Sequence, residues 1–193
     1  MKIPKKRILK KAIKKLKQSQ GVKLLVVGLA QHGKDTVTEI LRDSYRLSYK
    51  SSSVACIELF IFDKIGAKYG YKTPLELYQN RDNHREELYQ LITEFNTPDK
   101  SKLARLIMES NQIYCGLRSA EELEACKVSK VFDMIVWVDA LQRKGVTEGV
   151  ESNTITEDMT HYTIDNNGAE NNLEKEVRKM LAFYIQQCKM DLS

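Results

Sequence analysis

No apolar run in the chain approaches the roughly 18 to 20 residues needed to span a bilayer, and the first 20 residues are basic without the apolar core of a secretion signal. The expectation is a cytoplasmic protein that enters no membrane. Only 3 prolines and 9 glycines occur in 193 residues, which excludes collagen-like and low-complexity chains. Cysteine is sparse and scattered: Cys56, Cys115, Cys126 and Cys188 form no CxxC pair and no Cys/His spacing suited to zinc, so reduced, mostly buried thiols are expected. With 42% hydrophobic and 30% charged residues, the chain is long enough to bury one real core but too short for two large domains.

The net charge of +5 divides unevenly. Residues 1–20 carry eight Lys and one Arg and no acid, +9, and the remaining 173 residues are −4. A body that is mildly acidic does not grip duplex nucleic acid, so that property belongs at most to the N-terminal arm. Ile8, Ala12 and Leu16 recur there at helical spacing, with Leu9 and Ile13 beside them and Lys10, Lys11, Lys14 and Lys15 between. The arm, residues 1–20, reads as a short basic amphipathic helix. Such a helix can hold anionic lipid or nucleic acid; a solvated appendage to a domain spanning 21–193 is the plainer reading.

Lys23-Leu24-Leu25-Val26-Val27 is a short run suited to a strand buried on both faces, as in a parallel sheet. It leads directly into Gly28-Leu29-Ala30-Gln31-His32-Gly33-Lys34-Asp35-Thr36, a G-x-x-x-x-G-K match, and then into a segment with Val37, Ile40 and Leu41 on one helical face. Strand, glycine loop and helix come in the order a phosphate cradle requires. Wrapping a phosphate turns backbone N–H groups inward, which needs glycine where φ is positive or where the anion comes too close for a Cβ; Gly28 and Gly33 occupy those places. The helix start adds free N–H groups and the positive end of its dipole, and Lys34 adds a point charge for the β and γ phosphates. A shuffled chain of this composition would show the motif about 0.05 times. Where Ser or Thr commonly follows the lysine and holds magnesium, this chain has Asp35, so Thr36 serves instead or Asp35 acts through water.

Residues 28–36 (GLAQHGKDT), Lys72-Thr73-Pro74 leading to residues 78–85 (YQNRDNHR), Cys115-Gly116-Leu117-Arg118 and residues 162–168 (YTIDNNG) together resemble the bacteriophage deoxynucleoside monophosphate kinases, over roughly residues 22–185. The GKDT and IDNNG strings are the most specific marks. The resemblance implies an α/β, three-layer P-loop kinase fold with a parallel sheet, a helical acceptor-binding region at about 53–110 and a lid at about 140–158. It implies ATP and Mg²⁺ at Gly28, Gln31, His32, Gly33, Lys34, Asp35 and Thr36, with Asn166 and Asn167 near the adenine mainly through backbone groups. It also implies an acceptor phosphate at Arg118.

The residues add their own support. Leu88, Leu91, Ile92 and Phe95 fall at i, i+3, i+4 and i+7, predicting an amphipathic helix over residues 82–96. Arg81 and Arg85 lie four apart on another face, with Tyr78 and Tyr89 at compatible spacing. Arginine holds phosphate bidentately and tyrosine can stack on a base; the competing reading pairs both arginines with Asp82, Glu86 or Glu87. His84 reads as packing. Ser119 with Glu122 forms an S-x-x-E capping box, so Arg118 projects from the end of the strand Ile113-Tyr114-Cys115. Met134-Ile135-Val136-Trp137-Val138 is a further buried strand closed by Asp139. The polar stretch that follows is long for a connector, and its best candidate for a cation at the transferring group is Arg143. Residues 162–165 read as the last strand, and Leu173, Val177, Met180, Leu181 and Tyr184 as a core stripe.

The expected activity is phosphorylation of a deoxynucleoside monophosphate by ATP. Lys34, Arg118 and Arg143 are the expected catalytic cations, Arg81, Arg85, Arg118 and Tyr78 hold the acceptor, and Thr36 and Asp35 are candidates for the metal. The acceptor attacks through a phosphate oxygen that is already anionic, so no strong general base is needed and none is evident. Two other readings stand beside it: a P-loop kinase for a different phosphorylated small molecule, and a non-catalytic nucleotide-binding protein whose basic arm tethers nucleic acid. The sequence is compatible with a homodimer but does not specify one.

Overall fold

The computed structural model describes residues 3–19, 21–146, 153–168 and 172–188. In chain order its elements are α1 (Lys6–Ser19), β1 (Leu24–Val27), α2 (Lys34–Tyr45), β2 (Tyr49–Ser51), α3 (Ser52–Cys56), a π-helical turn (Ile57–Ile61), α4 (Phe62–Ile65) and α5 (Pro74–Gln79). After a 3₁₀ turn (Arg81–His84) come α6 (Arg85–Phe95), α7 (Lys102–Ser110), β3 (Ile113–Cys115), α8 (Ala120–Val128), β4 (Met134–Asp139), α9 (Leu141–Lys144), β5 (Tyr162–Asp165) and α10 (Leu173–Gln187).

The five strands are all parallel and lie in the order β2-β3-β1-β4-β5. β1 is central, and alternate residues of it face opposite ways, as a pleat demands. Leu24 and Val26 join a core with α1, α2 and α10, including Leu9, Ile13, Leu41, Val177 and Leu181. Leu25 and Val27 join a second core with residues of α3, α7 and α8, including Cys56, Ile107 and Leu123. β4 divides in the same way, with Met134, Val136 and Val138 on the first side and Ile135 and Trp137 on the second. Helices therefore cover both faces of one parallel sheet, giving a three-layer α/β fold. No helix among the described residues is long and apolar enough to cross a membrane.

The chain leaves β1 for the far edge at β2, returns to β3 beside β1, and only then crosses to β4 and β5 on the other side. The carboxyl end of β1 thus sits where the winding reverses, the place in open α/β sheets where a crevice forms and ligands bind.

Three elements differ from their sequence expectation. The basic N-terminal segment is helical, but it is no solvated appendage: Leu9, Ile13 and Leu16 are fully buried and Ala12 nearly so, against α2 and α10. Burying each of those three large side chains is worth roughly 1.5–3 kcal/mol, and Lys6 Nζ adds an ion pair at 2.7 Å to Glu174 of α10. The helix predicted over 82–96 begins at Arg85, because residues 81–84 tighten into the 3₁₀ turn; its stripe is otherwise as expected, with Leu88 buried and Phe95 stacked on Phe60 at 4.0 Å between centroids. β2 has no counterpart in the sequence reading, since three half-buried residues at a sheet edge leave no apolar run to read.

Candidate functional site

The loop between β1 and α2 has the backbone that its glycines allow. Gly28 has φ 145° and Gly33 φ 95°. A Cβ on Gly28 would lie 2.5 Å from the carbonyl oxygen of Val138, and one on Gly33 would collide with the Asn166 amide. Gln31 is also left-handed, with φ 61°. Such conformations turn backbone amides toward one side and make an anion-binding concavity. α2 opens at Lys34 immediately after Gly33, adding the first-turn amides that a helix cannot pair with its own carbonyls, and its dipole. The Lys34 ammonium folds back onto the loop and donates to the Leu29 carbonyl at 2.6 Å.

His32 is fully buried at the centre of this arrangement. Its Nδ1 accepts the Ala140 amide at 3.1 Å, so the proton sits on Nε2, which donates to the Gly145 carbonyl at 3.0 Å. The 4.0 Å approach of Nδ1 to Asp139 is consequently not an ion pair. One imidazole ties the glycine loop to the segment after β4. Asn166, also buried, ties it to the turn after β5: its side-chain amide donates to the His32 carbonyl at 2.9 Å, and its backbone amide donates to the Asp139 carbonyl at 2.6 Å.

Asn167 completes the clamp. Its side chain donates to Asp139 Oδ2 at 2.7 Å and accepts the Gln142 amide at 2.8 Å, while its backbone and side-chain amides on Asp165 hold that carboxyl below the usual carboxylate range. The two asparagines expected near an adenine mainly through backbone groups thus commit their side chains to bracing the loop.

The expected cations divide into two groups. Arg143, in α9, donates from Nε to the Asn166 carbonyl at 3.1 Å, so it stands beside the brace of the loop. Arg118 is exposed at the end of β3, and its neighbourhood is joined to the loop through the chain that returns after 152. The amide of Thr154 donates to the Arg118 carbonyl at 2.9 Å, and the adjacent, buried Asn153 donates to the Gly28 carbonyl at 3.3 Å. Arg81 and Arg85 instead make their polar contacts within their own segment, and Tyr78 also packs on the second core. Arg81 lies over the Tyr78 ring at 4.3 Å and donates to its carbonyl, and Arg85 pairs with Asp82 at 3.1 Å on an exposed surface. For Arg85 the pairing with a neighbouring acid is therefore the one observed. His84 packs as expected, against Tyr69 and within hydrogen-bond distance of the Tyr71 hydroxyl.

Within the expected lid over 140–158, both described flanks are bonded to the glycine loop or its neighbours. Residues 140–146 include α9 and the two partners of His32, and residues 153–155 are bonded to Gly28 and Arg118 with Ile155 buried. Each flank satisfies buried polar groups of the loop. Residues 147–152 lie outside the described residues.

For a metal, Thr36 and Asp35 stand exposed in the first turn of α2, and no group of three His, Cys, Asp or Glu side chains that could hold an ion occurs among the described residues. Asp35 faces the Cys115 thiol, 3.8 Å away, and burial, then this carboxylate, push that thiol up to about 12. Cys115 is thus a packing group, not a nucleophile.

Sequence reasoning missed Asp139, Asn153 and the role of the Ala140 and Gly145 backbone. Asp139 had a signal, a carboxylate closing an apolar strand. Asn153 had none, because its place beside Gly28 depends on how a polar connector returns. A scan against protein-family models gave no match, and a search of curated proteins gave none.

Proposed function

We propose that the chain is a P-loop kinase that transfers the γ-phosphoryl group of ATP to a deoxynucleoside monophosphate, releasing ADP and the deoxynucleoside diphosphate. The observation that carries this reading is the glycine loop itself: left-handed Gln31 and Gly33, closely approached Gly28 and the start of α2, all at the switch point of a parallel sheet. A loop so heavily braced by buried His32 and Asn166 is preorganised for an anion rather than shaped by one.

In the reaction an acceptor phosphate oxygen bonds to the γ-phosphorus as the bridging oxygen leaves with ADP. The acceptor is already anionic, so the side chains align the two phosphates and offset their charge. Lys34 exchanges the Leu29 carbonyl for the β and γ phosphates. Arg118, which follows β3, and Arg143, beside the Asn166 turn, approach the transferring group. Arg81, Arg85 and Tyr78 hold the acceptor phosphate and base. Thr36 or Asp35 would hold magnesium, which needs only one or two protein donors beside phosphates. It would supply positive charge that offsets the charge of the phosphates.

The test is coupled-enzyme turnover with ATP, a panel of the four deoxynucleoside monophosphates and a set of phosphorylated acceptors that are not nucleotides. ADP formation confined to one or more of the nucleotides supports the reading. Turnover only with another acceptor moves the assignment to a different small-molecule kinase, and ATP binding without turnover on any acceptor rejects catalysis.

A further inference from the structure

Fixing α1 in the core also fixes where its charges point. Leu9, Ala12, Ile13 and Leu16 face inward, and Arg7, Lys10, Lys11, Lys14 and Lys15 are all exposed. At 100° per residue those five cations fall within an arc of about 140°, and at 1.5 Å per residue they extend over about 12 Å. The helix contains no acidic residue. Lys6 pairs with Glu174 and Lys17 donates to the Arg46 carbonyl, but the five outward cations form no ion pair among the described residues. Glu174, already held by Lys6, also feels the charge of Lys10.

We infer that the outward face of α1 is a rigid basic ridge that docks the phosphate backbone of nucleic acid without regard to base sequence. The ridge offers cations at the spacing of one helix face to a line of phosphates, and its charge complements a polyanion. The same geometry disfavours a bilayer: an amphipathic helix holds a membrane by sinking its apolar face among the acyl chains, and here that face is occupied by α2 and α10. The body of the protein, at −4, adds no attraction of its own, so docking is confined to the ridge. The inference does not depend on the phosphate loop and survives if the proposed kinase activity fails.

Fluorescence anisotropy of the full chain with a labelled duplex and a labelled single strand, over a series of salt concentrations, tests it. Five phosphate contacts predict a slope of log Kobs against log salt between about −3 and −5 on duplex DNA and a shallower one on the single strand. Affinity should fall roughly a hundredfold or more between about 50 and about 200 mM salt. The variant Lys10→Glu/Lys11→Glu/Lys14→Glu/Lys15→Glu should lose binding. Because charge reversal at four sites can disturb folding, Lys10→Gln/Lys14→Gln is the milder check, and it should reduce the slope by about 2 with an unchanged melting curve. Binding should also persist in saturating MgATP. No binding at about 50 mM salt, binding indifferent to the substitutions, or displacement by MgATP would overturn the inference. So would capture by anionic phosphatidylserine vesicles in the absence of nucleic-acid binding.

Discussion

The glycine loop and the helical region after β2 are built in different ways. Around the glycine loop the buried polar side chains are committed: His32 to Ala140 and Gly145, Asn166 to His32, Asn153 to Gly28. Those bonds join the ends of β1 and β4 to the turn after β5, across more than a hundred residues of sequence. In the helical region after β2, Arg81 and Arg85 make the polar contacts seen among the described residues with neighbours within a few residues, and Tyr78 packs on the second core. Under the proposed function, a loop that presents the same amides to every triphosphate gains from being braced before the ligand arrives. Cations proposed to meet a variable acceptor have no such need, and exposed pairs of the Arg85–Asp82 kind are worth only about 0–1 kcal/mol.

The contrast breaks most readily at Gly28. In Gly28→Ala the new methyl meets the backbone of a central strand, which cannot yield as a side chain can. A positive φ adds roughly 1–3 kcal/mol, and each kcal/mol lowers the melting temperature by about 2–4 °C in a chain of this size. Calorimetry should show that loss together with loss of ATP binding. His32→Ala comes next. It orphans the Ala140 amide and the Gly145 carbonyl, at about 1–3 kcal/mol for each group that stays buried. It should lower the melting temperature and raise the KM for ATP while leaving the acceptor KM unchanged.

On the proposed acceptor side the expected signature is inverted. Arg81→Ala and Arg85→Ala should raise the acceptor KM about tenfold or more, the value of a charge-assisted phosphate contact, with little change in melting. Equal melting losses on both sides would erase the distinction. The smallest effect is at Asp99, before α7, where the Arg105 side chain and then Ser101 hold the carboxyl down to about 2. A folded value below the unfolded one stabilises above the usual carboxylate range, and the gain is lost as pH falls toward about 2. The melting temperatures of wild type and Asp99→Asn should therefore differ most near neutral pH and converge in acid.

Much of this was legible in the sequence because it is local. A strand of four buried residues, a glycine loop and a helix follow one another directly, and short-range chemistry dictates each. β4 and the stripe of α10 were equally plain from their runs and spacing. What could not be read depends on distant parts meeting. The sealing of α1 required α10 to lie across it, nearly at the other end of the chain. The commitment of Asn166 to the loop required β5 to pair with β4 in its observed register, Asp139 opposite Asp165. The apolar spacing of α1 showed a face to be buried but not what would bury it. For the same reason the sequence shows the polar stretch after Asp139 as a long connector, but not that its described flanks bond to the glycine loop.

Calorimetric titration of the wild-type chain and of Lys34→Ala with MgATP tests the central claim most directly. The account predicts one nucleotide bound per chain by the wild type. In Lys34→Ala the binding should weaken at least tenfold with an unaltered melting curve, as expected for a side chain that gives up the Leu29 carbonyl when it turns to phosphate. Absence of binding by the wild type, or equal binding by the two proteins, would contradict it.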